Sequence, residues 1–321
     1  MIKLSTNGSQ IGGKFDRIEV RGKNVTIKDV VVEGEGITLY SNYNCSGLTV
    51  EDSTFISHSN NAVKIIADNV SGIVEYVVFK NCKFVGGRMA AEIQNHKNTD
   101  YKINGVRFEG CEFVVAEPQP TVKNEYPYGL SLSGYGRNVV VDGCKFEGCG
   151  KGIEIAGFSE VTIGNCDISG RSFSIISSNK RAMEKITIKD SRIKGMLRLT
   201  ISSNSLLEAN NIECPYVEIK NSHNVSILKN NITSTGNYSV MLNQSSKCLV
   251  EYNNLVQKGS NYSIVRAYKS KSTGNITRNN NLMMGYPKVG TWYDQIEGAA
   301  GNVFTDNKKS FIKDKENGSK K

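Results

Sequence analysis

Several things are scarce or missing in this chain. Its 321 residues hold 5 Pro, 3 His and 1 Trp. No stretch approaches the roughly 18 to 20 apolar residues that a membrane-spanning helix needs, and the opening MIKLSTNGSQ lacks the apolar run of a secretory signal. The expectation is a soluble, leaderless protein with no membrane partner, which leaves cytoplasmic residence and carriage on a virus particle equally open. His58, His96 and His223 show no zinc-binding spacing, so no metal site is assigned. No two of the 8 Cys form a CxxC pair, and helical spacing of apolar residues is nowhere sustained. What is present is a composition of a folded protein, with 38% hydrophobic and 22% charged residues, 31 Gly and a net charge of +9.

Repetition organises the rest. FKNCKF begins at Phe79 and FEGCEF at Phe108, and a search for the same six-residue pattern finds eleven copies, starting at Ile27, Val50, Phe79, Phe108, Val141, Ile163, Ile188, Leu207, Ile227, Val250 and Thr277. The fourth position runs Val30, Ser53, Cys82, Cys111, Cys144, Cys166, Ser191, Asn210, Asn230, Asn253, Asn280. The sixth runs through Val32 and the phenylalanines 55, 84, 113 and 146 to Ile168, Ile193, Ile212, Ile232, Leu255 and Leu282. Like follows like in both columns, so consecutive copies touch. A cysteine that alternates with Ser and Asn is read as a reduced, buried thiol acting as a small hydrophobe. Copies recur every 19 to 33 residues, the range of stacked repeat architectures.

Two residues ahead of most copies stands another apolar residue, such as Val25, Val77, Val139 or Val225, which is strand alternation. A second strand precedes it in most repeats, for example GITLY at 36–40, AVKII at 62–66 and KGIEI at 151–155. Three short strands per repeat, each stacked on its equivalent, predict an all-β, right-handed parallel β-helix of about 11 to 12 coils. With adjacent coils about 4.8 Å apart, the rod is on the order of 50 to 55 Å long. The expected organisation is an N-terminal cap over 1–22, the β-helix over 23–285, and a C-terminal cap with a frayed basic tail over 286–321.

The apolar-x-Asn-Asn-x-apolar turns around Asn230 and Asn253 resemble those of the pectate-lyase-like and phage-tailspike parallel β-helix superfamily, over residues 20 to 285. The resemblance implies that the Asn column is structural and that a substrate lies along the outer face of one sheet, usually that of the upstream strand. It fixes no chemistry, because this fold carries lyases, hydrolases, epimerases, adhesins and inert fibres. Arg192-Ile193-Lys194 matches a tripeptide of the polygalacturonase branch, but there is no Asp-Asp pair or Gly-His-Gly, and Ile193 faces the core.

Outward positions of the upstream strand are Tyr40, Lys64, Glu92, Gln94, Ser131, Glu154, Arg198, Glu218 and Arg266. Glu92 and Glu154 fall two coils apart, about 9 to 10 Å, close to the roughly 6.5 to 9.5 Å carboxyl spacing of an inverting glycosidase. The candidate catalytic residues are therefore Glu92, Glu154 and Lys64. Candidate substrate-binding residues are Tyr40, Gln94, His96, Arg88, Arg198 and, from the proline-bearing insertion VVAEPQPTVKNEYPYG, Tyr126 and Tyr128. No cofactor is expected, except that a lyase would add a divalent cation such as calcium. The charge of +9 points to an anionic polysaccharide or cell-wall glycan and, without a basic helix, away from nucleic acid. Two readings stay open: a polysaccharide-binding or polysaccharide-degrading β-helix of a bacterium or phage, and a non-catalytic fibre or tail module, such as a homotrimer.

Overall fold

The computed structural model describes residues 1–5, 10–97, 100–116, 127–177, 181–259, 263–285 and 292–312. Every strand pairing among them is parallel, and each strand pairs with the equivalent strand of the coil before and the coil after. The coils stack into three sheets. The first contains Asn61–Ile66 and Met89–Asn95, the second Val74–Lys80 and Ile103–Glu109, and the third Lys83–Gly86 and Glu112–Val115. In the next two coils a single strand, Tyr128–Asp142 or Lys151–Gly164, runs through the first corner and supplies both the first and second sheets.

The columns read from the sequence are the register of the stack. Val32 pairs with Phe55, Phe55 with Phe84, Phe84 with Phe113 and Phe113 with Phe146. The aliphatic half continues in the same way to Leu255 and Leu282. These side chains are fully buried, and the Phe113 and Phe146 rings stack with centroids 4.4 Å apart. Hydrophobic burial along this shared column is what joins each coil to its neighbours.

The fourth-position column is a hydrogen-bond ladder. The Oδ1 of Asn230 accepts from the backbone N–H of Asn210 at 2.9 Å, and that of Asn253 from Asn230 at 2.9 Å. Each Asn also donates to a carbonyl of the coil below, as Asn230 does to Leu207 at 2.9 Å. The cysteines take the same place: Cys82, Cys111, Cys144 and Cys166 point their thiols at the carbonyls of Val50, Phe79, Phe108 and Val141 at 3.4 to 3.5 Å. All eight cysteines are free and buried. The residue before each ladder position has positive φ; Asp52, Asn81, Gly110 and Asn165 suit that conformation, whereas Lys229 and Tyr252 adopt it against their preference.

The stack runs past both expected boundaries. Ile2–Leu4 already pairs with Ile18–Val20. Tyr293–Ile296, Val303–Thr305 and Lys308–Phe311 build one more coil on the last recognised one. Asn307 extends the Asn ladder by accepting from Asn280 at 3.0 Å. This twelfth copy escapes the sequence pattern because Lys309 stands where Leu282 stood. Trp292, expected in the cap, packs partly buried against Phe311 with rings 5.3 Å apart.

Candidate functional site

The outer face of the first sheet carries a continuous column. Glu19, Tyr40, Lys64, Glu92, Ser131, Glu154, Ile176, Arg198, Glu218, Met241, Arg266 and Asp294 are register partners in that order. The alternation that buries Val63, Ala91, Leu130 and Ile153 turns the following residue outward, and the register shift between Phe173 and Ile175 still leaves Ile176 opposite Arg198.

Glu92 and Glu154 therefore stand two strands apart with Ser131 between them. Lys64 Nζ is 2.8 Å from Glu92 Oε2, and Asn61 Nδ2 donates to the same oxygen at 2.7 Å. Glu154 has no ion pair among the described residues; Ser131 Oγ donates to its Oε2 at 3.1 Å. Burial pushes the Glu154 carboxyl above the usual carboxylate range and the nearby Glu92 adds to this, while Lys151, Ser131 and Tyr128 pull it back. Lys151 gives its Nζ to the hydroxyl of Tyr128 at 2.8 Å instead of forming an ion pair with Glu154.

The other candidates distribute around this pair. Gln94 donates to Asp68 Oδ2 at 2.9 Å, and the exposed His96 touches the Ser133 hydroxyl through its ring. Gln94 stands one alternation past Glu92 and His96 two, just beyond the end of the strand. Tyr128 lies at the opposite edge, on the residue paired with Met89 and Lys151. Arg88 is exposed on the turn just ahead of Met89–Asn95. Tyr40 and Arg198 are each two strands away, Tyr40 beneath the Arg17 guanidinium and Arg198 paired to Glu218. Tyr126, with most of its insertion, lies outside the described residues. The sequence reading missed Asn61 and Lys151. Their signal is a constant offset, since Asn61, Tyr128 and Lys151 each stand three residues ahead of a column member.

The donor set does not fit a divalent cation. Lys64 and Asn61 occupy Glu92, and among the described residues no group of three or more His, Cys, Asp or Glu side chains converges to hold a metal.

Comparison with known proteins agrees with the architecture. Residues 128–214 match the family described as right handed beta helix region. A mannuronic acid specific polysaccharide family 6 lyase from human gut microbiota superposes with TM-score 0.61 at 13% identity, covering 96% of this chain and 82% of that one. DFA-IIIase from Arthrobacter chlorophenolicus A6 without its lid gives 0.59 at 12% identity, covering 90% and 79%. The same enzyme in complex with DFA-III gives 0.58 at 12% identity, covering 89% and 74%. No curated protein matches the sequence. Register, the family match over 128–214 and the structural likeness together give the fold of this chain as an all-β, right-handed parallel β-helix.

Proposed function

We propose that the chain acts on a glycan lying along the outer face of the first sheet and cleaves a glycosidic bond by hydrolysis between Glu92 and Glu154. The observation that carries this is the asymmetry of the pair: Glu92 is held by the Lys64 ammonium, whereas Glu154 makes no ion pair among the described residues and burial raises its carboxyl. Two carboxyls whose surroundings differ in this way divide the roles of acid and base. Glu154 gives its proton to the leaving glycosidic oxygen. Glu92 takes a proton from a water that attacks the anomeric carbon from the opposite face, and the carbon–oxygen bond breaks as the new one forms. Two strand spacings separate the backbones by about 9.6 Å, next to the roughly 6.5 to 9.5 Å of enzymes that place a water between their carboxyls.

In this reading Lys64 and Asn61 position Glu92. Tyr128, Gln94 and His96 border the bound sugars, and Tyr40 and Arg198 contact the glycan further along the face. The structural neighbours support a glycan ligand by name, one being a polysaccharide lyase and the other an enzyme solved with DFA-III. The charge of +9 favours an anionic polysaccharide or cell-wall glycan. The test is a panel of neutral and anionic polysaccharides followed by reducing ends and by the ultraviolet absorbance of unsaturated uronates. New reducing ends lost in Glu154→Gln and Glu92→Gln are expected; unsaturated products would replace hydrolysis by elimination, and no products would remove catalysis.

A further inference from the structure

A second feature lies off the sheet, on the corner where the first strand of each coil turns into the second. Here guanidinium groups lie over tyrosine rings in adjacent coils. Arg137 stands 5.9 Å from the ring centre of Tyr101, and Arg181 4.3 Å from that of Tyr135. A third pair, Arg21 over Tyr43 at 5.1 Å, is closed by an ion pair from Arg21 to Glu19 at 2.9 Å. Arg137 and Arg181 have no carboxylate partner among the described residues. An open groove of about 550 Å³ runs beside Arg137, lined by Gly72, Ile73, Asp100, Tyr101, Lys102 and Arg137.

The corner is built to hold this arrangement. Asn95, fully buried, donates to the carbonyl of Asp100 at 3.0 Å and to that of Tyr135 at 2.7 Å, so one side chain fixes both tyrosine-bearing turns. Gly157, at φ +106°, has no side chain where Arg181 crosses its coil; a Cβ there would come within 2.8 Å of Arg181 Cδ. The positive φ and the Gly134 carbonyl, which that Cβ would strike, already call for glycine here, and the bare backbone also leaves room for Arg181 to reach over an intervening coil to Tyr135. Planar guanidiniums on aromatic faces keep their N–H edges free for two-pronged bonds to an oxyanion, and a tyrosine ring offers a flat face to a sugar. Gln94, at the end of Met89–Asn95, and His96, just past it, lie immediately ahead of this corner, so one extended ligand can reach both places.

We propose that Tyr101, Tyr135, Arg137 and Arg181 form a subsite for an oxyanion-bearing sugar residue, a uronate carboxylate or a sulfate ester, which makes the glycan taken by the carboxylate column an acidic one. The inference rests on the glycan reading above. Calorimetric titration of the full-length Glu154→Gln protein with oligogalacturonate, with sulfated carrageenan oligosaccharides and with neutral inulin oligosaccharides tests it. A charged oligosaccharide binds, and Arg137→Gln with Arg181→Gln weakens it about tenfold, the scale of one charge-assisted contact. Arg→Lys at both positions, which keeps charge and fold but not the fork, recovers only part of the affinity. Preference between the first two ligands identifies carboxylate or sulfate. Neutral oligosaccharides bound as tightly as charged ones, or charged ones indifferent to both arginine changes, overturn the corner while leaving the column intact. Failure of all three to bind, with no cleavage by the unmodified protein, overturns both.

Discussion

The outward column has two halves built from the same strands and the same kinds of residue, and they end in different electrostatic states. In the C-terminal half each acid has an arginine one coil behind it. Arg198 grips Glu218, which also accepts from Asn243 at 3.0 Å, and Arg266 holds Asp294 with Nε 2.9 Å from Oδ1. In the N-terminal half, Glu19 and Glu92 are closed by Arg21 and Lys64. Glu154 follows Ser131 and precedes Ile176, and of the five acids in the column it is the one with no cation bonded to it among the described residues. Parallel stacking repeats an ion pair wherever the sequence puts opposite charges one coil apart. Leaving one carboxyl out of that pattern costs stability, which is the usual signature of a site kept for chemistry.

The strongest way to break the contrast is to remove the odd carboxyl. Glu154→Gln is expected to lower the rate of reducing-end release by about 10³-fold, the scale of a lost general acid, with the fold intact. Next comes conversion of the open half into the closed one. Ser131→Lys places an ammonium one coil behind Glu154, as Arg198 stands behind Glu218; it should bring the Glu154 carboxyl down into the ordinary range and reduce cleavage about 10²-fold, seen in the pH–rate profile. Opening the closed half is the reciprocal test. Glu218→Gln leaves the Arg198 guanidinium partly buried and unpaired, and chemical denaturation should show a loss of about 2 kcal/mol with cleavage unchanged. The smallest effect is on the pH dependence of stability. A carboxyl raised in the folded state supports folding fully below its unfolded pKa and loses that support as pH rises through the folded value. The melting temperature of Glu154→Gln should therefore match the parent in acid and exceed it increasingly as pH rises above the usual carboxylate range.

Much of this was legible in the residues, because a parallel stack writes its register into the sequence. Phe55, Phe84, Phe113 and Phe146 are alike since each buries against the next, and Asn210, Asn230 and Asn253 since each hydrogen-bonds the next. The outward column followed from the same alternation, and Tyr40, Lys64, Glu92, Glu154, Arg198, Glu218 and Arg266 all stand in it. The ion pairing was harder to see. Glu92 and Glu154 look equivalent as letters, and only the neighbours one coil away, Lys64 and Ser131, separate them. The corner was hidden further, because the link between first and second strands spans several residues at 67–73 but is absorbed into one strand at Tyr128–Asp142, so no fixed spacing aligns Tyr101 with Tyr135.

The measurement that bears most directly on this account is the titration of the Glu154 carboxyl itself, by carbon-13 resonance of labelled glutamate side chains with Glu154→Gln supplying the assignment. The account predicts one resonance that is absent from the variant, titrates above the ordinary carboxylate range, and moves down in Ser131→Lys. A Glu154 carboxyl that titrates with the ordinary glutamates, unmoved by the new lysine, would contradict it.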